Sequence, residues 1–162
     1  MSIRRVLMVC MGNICRSPTA EAVLRAKLHA AGLGDEVTVD SAGTHGHWHA
    51  GEAPDARSQA HARQRGYELS ALSARAVVEA DFDQFDLILA MDWDNLAPLE
   101  EMSPPAARPR LRRLTELCRR HDRPVVPDPY YGGADGFEEV LDLIEDACDG
   151  LVELLQRQAQ VD

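Results

Sequence analysis

The segment Val9-Cys10-Met11-Gly12-Asn13-Ile14-Cys15-Arg16-Ser17-Pro18 holds a thiol and a guanidinium six positions apart. An apolar run, Val6 to Val9, precedes it, and a helical pattern, Thr19 to Leu28, follows it. That order reads as a buried strand, a tight loop and the first turn of a helix. Ser17 suits the cap of that helix and Pro18 its first position. A loop feeding a helix N-terminus offers free backbone N–H groups and the positive end of a dipole, so it attracts anions. A thiol at the bottom of such a cup is favoured as thiolate. A guanidinium at its rim can grip two oxygens of a phosphate at once. Nucleophile, anion cradle and clamp lie within seven residues, from Cys10 to Arg16. Together they are equipped to take a phosphoryl group onto sulfur.

The surrounding pattern supplies a frame for that loop. Residues 3 to 9 are almost all apolar after Arg5, as expected of a central parallel strand covered on both faces. The helix stops at Gly32-Leu33-Gly34, and Val37-Thr38-Val39 reads as a second strand. Asp40-Ser41-Ala42-Gly43-Thr44 then begins a loop at the carboxyl edge, where open α/β sheets hold their ligands. Pro54-Asp55 opens a helix to Gly66, and residues 72 to 78 read as a short helix. Leu87 to Met91 is a further strand, and Trp93 to Glu101 a helix broken by Ser103-Pro104-Pro105. Periodicity makes Leu111, Leu114 and Leu117-Cys118 a helix face. The last segment, about Phe137 to Gln158, is strongly amphipathic, and Cys148 and Cys118 read as core thiols.

Composition bounds the function classes. With 162 residues, no repeat and no linker, the chain reads as one domain spanning 1–162. Formal net charge is −10, which argues against general nucleic-acid binding. No run of about 18 apolar residues occurs, so no membrane span is expected. The N-terminus reads as a strand and not as a signal peptide, and the four Cys as reduced thiols, so the expected location is cytoplasmic. His45-Gly46-His47-Trp48-His49 has no Cys or acidic ligand at matching spacing; it reads as a polar loop, and no metal or cofactor is expected. Seven Arg between 108 and 123 read as a solvated face.

The wider pattern resembles the low-molecular-weight protein tyrosine phosphatases. The likeness rests on the Cys10–Pro18 loop, Asp40-Ser41-Ala42-Gly43, Pro54-Asp55-Ala56-Arg57, Leu89-Ala90-Met91-Asp92 with Asn95-Leu96, and Asp128-Pro129-Tyr130-Tyr131-Gly132. It implies a three-layer α/β/α fold on a four-stranded parallel sheet, with the phosphate-binding loop between the first strand and the first helix. The fourth strand would then fall near Arg110 to Leu114, against the periodicity. In this likeness Cys10 is the nucleophile that forms a phosphocysteine, Arg16 clamps the phosphoryl group, and Asp128 is the general acid and then the base. Residues Met11, Gly12, Asn13, Ile14, Cys15, Arg16 and Ser17 form the phosphate-binding loop. Asn13, Ser17 and Ser41 support it, Ser17 by bonding the sulfur and Asn13 by holding a strained, left-handed bend. Met11, Trp48, Tyr130 and Tyr131 line a cleft deep enough for phosphotyrosine. Cys15 is a redox partner for Cys10, and Asp92 has a supporting role. Substrates would be phosphotyrosine proteins or small aryl phosphates and the product inorganic phosphate, with no nucleic acid and no membrane, from a monomer or weak dimer. The pattern departs from the family at Leu72, where many members carry a His that supports the loop serine.

Two other functions share some of these residues. An arsenate reductase on the same fold needs a relay of close Cys, and residues 73 to 91 contain none. A phosphotyrosine-binding module without catalysis needs no nucleophile, yet Cys10, Arg16 and Asp128 are all in place.

Overall fold

The computed structural model describes residues 2–130 and 132–161. Four parallel strands form one sheet in the order β2-β1-β3-β4: β1 is Arg5–Cys10, β2 Thr38–Gly43, β3 Leu87–Ala90 and β4 Leu111–Arg113. Helix α1 (Arg16–Ala30) follows β1, and α2 (Ala56–Gln64) and the single turn α3 (Asp81–Gln84) lie between β2 and β3. Helices α4 (Trp93–Met102) and α5 (Ala134–Val161) follow β3 and β4. Parallel neighbours need crossover connections, which is why helices cover both faces.

The period-two alternation of β1 divides the core. Val6, Met8 and Cys10 pack with α1 and α5, through Val23, Leu24, Val140, Ile144 and Leu151. Leu7 and Val9 face the other way, onto Phe82, Leu96 and Leu99 of α3 and α4. Both sets are fully covered, so β1 reads as continuously apolar and not as alternating. The result is three layers, as the resemblance implies.

Several local expectations need correction. Strand β2 does not stop at Val39; it runs to Gly43 because β1 continues to pair with it, Met8 with Ser41 and Cys10 with Gly43. Residues 72 to 78 form no helix. Their backbone groups are taken by distant partners: Gly43 N–H donates to Arg75 O at 2.9 Å, Val77 N–H to Gly43 O at 3.0 Å and Ala74 N–H to Glu52 O at 2.9 Å. Committed in that way, they cannot close i to i−4 bonds. Leu111–Arg113 pairs with Ile88–Ala90 as the sheet's edge, and only Leu114–Leu117 turns, as a 3₁₀ segment. Edge pairing there outweighs the helical period. Cys118 is half-buried, with Sγ 3.6 Å from Leu143 O, and so is not a core thiol; Cys148 is fully buried.

One buried carboxylate ties the C-terminal half together. Asp146 of α5, with its side chain 0% exposed, accepts the backbone N–H groups of Arg119, Arg120 and His121 and the His121 ring Nδ1 at 2.7 Å. Burial alone would raise its pKa, but these donors outweigh burial and hold it below the usual aspartate value. A lowered folded-state pKa stabilises the fold above the ordinary aspartate range, and that contribution declines once pH falls below about 4 and is fully lost only below the depressed folded-state value. Replacing Asp146 by Ala leaves buried N–H groups unpaired. Urea unfolding should show a loss of about 2–4 kcal/mol at neutral pH. The difference from the parent should shrink toward pH 3.

Candidate active site

The loop from Met11 to Cys15 links β1 directly to α1. Its carbonyls are drawn outward: Cys10 O accepts from Thr44 N–H at 2.9 Å, Met11 O from His45 N–H at 2.8 Å and Ile14 O from Asp55 N–H at 2.7 Å. Among the described residues, the N–H groups of residues 11–15 donate to no protein acceptor. Gly43 is needed beneath them, since a Cβ there would lie 2.4 Å from Met11 O.

Helix α1 begins at Arg16, two residues earlier than the cap pattern implies. Cys15 is at its N-cap position and no side chain caps it. Ser17 therefore does not cap. Its hydroxyl turns inward and meets Cys10 Sγ at 3.0 Å. A capping side chain would consume an N–H that an anion site leaves open. Pro18 is accommodated because first-turn N–H groups have no helical partner in any case.

A chain of hydrogen bonds sets the direction of that hydroxyl. Asn13 sits at φ 59°, the single non-glycine residue with positive φ among those described. Arg75 N–H donates to its Oδ1 at 3.0 Å, so its NH₂ must face the two serines, Ser17 Oγ at 2.8 Å and Ser41 Oγ at 3.0 Å. Ser17 accepts from Asn13, so its own hydrogen has two acceptors within reach, the sulfur at 3.0 Å and Ala42 O at 3.4 Å, of which the sulfur is the nearer. Ser41 in turn donates to Glu21 Oε1 at 2.6 Å, and Arg25 Nη2 donates to Glu21 Oε2 at 2.6 Å. Burial raises the Glu21 pKa, and Ser41 and Arg25 offset part of that rise. Leu72, at the family's His position, packs half-buried against the core. Ser17 is thus oriented without that His.

Arg16 is 2% exposed. Nη1 donates to Asp92 Oδ2 at 2.6 Å and to Val126 O at 2.9 Å, and Nη2 lies 3.7 Å from Asp128 Oδ2. Burial works against its charge, but the sulfur of Cys10, then Asp92 and Asp128, raise its pKa above the ordinary arginine value. Asp92 caps α4 through Asn95 N–H at 2.8 Å, so one carboxylate fixes both a helix start and the guanidinium. The family likeness gave Asp92 only a supporting role. The signal for more was its place as an N-cap directly after a buried strand.

The Asp128 loop is pinned beside the cradle. Val126 N–H donates to Met91 O at 2.8 Å, and Asp128 Oδ1 accepts Tyr130 N–H at 3.0 Å. Arg57 braces it from α2. Its guanidinium pairs with Asp55, donates to Tyr130 O at 2.9 Å and lies 5.4 Å over the Tyr130 ring. The pocket between these elements is about 160 Å³ and is lined by Cys10, Met11, Gly12, Ile14, Cys15, Arg16, Trp48, His49, Asp128 and Tyr130. The residues named from sequence for the reaction thus come together, and so do Met11, Trp48 and Tyr130 of the cleft. Tyr131 lies outside the described residues. Trp48 is 60% exposed at the mouth, with its ring centroid 4.5 Å from that of His45. His49 lines the pocket as well, a position that sequence reasoning missed because the His-rich loop read only as polar. Among the described residues, no group of three or more His, Cys, Asp or Glu could hold a metal. Among the described residues, no helix is long and apolar enough to cross a membrane.

Comparisons with known proteins agree with this geometry. The family model described as low molecular weight phosphotyrosine protein phosphatase matches residues 5–161. A low molecular weight protein-tyrosine-phosphatase of Streptomyces coelicolor is 45% identical over 159 residues, 96% of each chain. The Bacillus subtilis protein YfkJ, named likewise, is 41% identical over 156 residues, covering 96% of this chain and 98% of its own. A crystal structure of a protein tyrosine phosphatase from Entamoeba histolytica, with Hepes in its active site, superposes with a TM-score of 0.92 at 39% identity, over 96% of this chain and 99% of that one. The chain belongs to the low molecular weight phosphotyrosine protein phosphatase family.

Proposed function

We propose that residues 1–162 act as one phosphatase domain that hydrolyses phosphotyrosine in proteins, and aryl phosphates, through a phosphocysteine on Cys10. The observation that carries this reading is the hydroxyl of Ser17, aimed at the Cys10 sulfur 3.0 Å away by an amide whose orientation Arg75 determines. A hydrogen bond of that polarity stabilises a thiolate and makes sulfur a better leaving group.

In the first step the Cys10 thiolate attacks phosphorus and the bond to the aryl oxygen breaks. Asp128 gives its proton to the departing phenolate. Loop N–H groups and Arg16 hold the equatorial oxygens while charge shifts across them. In the second step Asp128 takes a proton from water, the water oxygen attacks phosphorus, and the P–S bond breaks. Inorganic phosphate leaves and the thiolate returns. No metal has a part in either step. Purified protein should therefore turn over phenyl phosphate at a rate that chelators do not change. No turnover, or turnover that a chelator abolishes, overturns the reading.

The reductase alternative finds no support in the remaining thiols. Burial, ahead of the nearby Asp146, pushes Cys118 up to about 12, and burial raises Cys148 too, so neither is poised as a relay thiolate.

Cys15 is proposed as the redox partner of Cys10. Burial, then the charges of Asp55, Cys10 and Asp128, push its pKa up to about 12 against a smaller lowering by Ser58. Peroxide should therefore oxidise Cys10 first, to a sulfenic acid. The Cys15 thiol then displaces water and forms a disulfide, which an external thiol reduces. Activity recovery by dithiothreitol after peroxide should be nearly complete in the parent and largely lost in Cys15→Ala. Equal recovery in both would assign the protection to another thiol.

A further inference from the structure

His49 borders the pocket, yet neither step above uses it. It ends the 3₁₀ turn Gly46–His49, and its Nδ1 is bound to the carboxylate of Glu52. Backbone bonds hold the same turn: Glu52 N–H donates to His49 O at 2.8 Å, and Ala74 N–H to Glu52 O at 2.9 Å. An ionised carboxylate only accepts, so Nδ1 carries the hydrogen and Nε2 is left at the far edge of the ring. That edge lies on the phosphate-binding loop. A Cβ at Gly12 would sit 3.0 Å from His49 Cδ2 and 3.6 Å from Nε2. The ring can rest there because residue 12 has no side chain. Among the described residues, Nε2 has no hydrogen-bond partner.

The charge around it matters. At −10 the chain as a whole repels an acidic peptide, so attraction must come from groups at the mouth. Arg16 is spent on Asp92, Val126 and the phosphoryl group, and Arg57, held by Asp55 and Tyr130, does not line the pocket, whereas His49 lines it and gives only Nδ1 to Glu52. The other ionisable groups lining the pocket, Cys10, Cys15, Asp128 and Tyr130, are thiols, a carboxyl and a phenol, and none is a cation. Trp48, His49 and Tyr130 line the same pocket.

We propose that His49, oriented by Glu52, is an anion subsite that selects phosphotyrosyl peptides with a carboxylate beside the phosphotyrosine. This rests on the phosphatase reading and names the substrate class of the same site. In this subsite the Nε2 edge of the ring meets that carboxylate.

Matched peptides with Glu or Gln on both sides of phosphotyrosine test it. The parent should favour the Glu peptide in kcat/KM by about threefold to fivefold, the size of one exposed ion pair. His49→Gln should bring the ratio to parity, and His49→Arg should keep it. The ratio is taken within each variant, so a general change in rate cancels. A parent with no preference, or a His49→Gln variant that retains it, overturns the subsite. Turnover of phenyl phosphate without a peptide preference removes the subsite alone. Loss of phenyl phosphate turnover in the parent removes the phosphatase reading and the subsite with it.

Discussion

Replacing Cys10 by Ser should lower turnover of aryl phosphates by about 10⁴-fold or more, since a hydroxyl at neutral pH is a far weaker nucleophile than a thiolate. Phosphate or vanadate binding should survive within a few-fold. The cradle is made by backbone N–H groups of residues 11–15 and by Arg16, none of which depends on sulfur for its position. Arg16 is held by Asp92 at 2.6 Å and by Val126 O at 2.9 Å, and both anchors persist in the variant. Rapid quenching of the parent with a phosphotyrosyl peptide should trap phosphate on residue 10, and the variant should trap none. Retained turnover in Cys10→Ser removes Cys10 as the nucleophile, whereas joint loss of turnover and anion binding points to a collapsed loop.

The second large effect belongs to Asp128. Asp128→Asn keeps an acceptor for Tyr130 N–H, so the loop geometry at 3.0 Å is preserved while the transferable proton is lost. Phenyl phosphates with poor leaving groups should slow by about 10²–10³-fold. The loss with p-nitrophenyl phosphate should be much smaller, because that phenolate leaves without help. A plot of log kcat/KM against leaving-group pKa should therefore be steeper in the variant. An equal loss across the series would be the signature of a positional role for Asp128 instead of an acid.

Legibility followed distance along the chain. Strands β1 and β3 were readable as unbroken apolar runs, and helices α1, α4 and α5 from apolar positions and end signals within a few residues of one another. The helix expected at 72 to 78 failed for a non-local reason, since Gly43, Glu52 and Asn13 claim its backbone. Strand β4 needed the family likeness, because an edge strand of three residues has no periodicity of its own. For Ser17 the local cap pattern gave the wrong task and the family likeness the right one, the bond to sulfur, whose direction depends on Asn13, Ser41 and Arg75.

From sequence alone came the contiguous chemistry: a thiol, an anion-binding loop and a guanidinium between a buried strand and a helix. Seven adjacent residues hold those parts together in any fold that keeps this strand, loop and helix. Tertiary structure decided what lies far away in sequence. It brought Asp128 within 3.7 Å of Arg16, assigned Asp92 to orient that arginine, and set His49 on Gly12 with Glu52 behind it. Those choices depend on which backbone groups the folded sheet leaves unpaired at its carboxyl edge, and no local pattern records them.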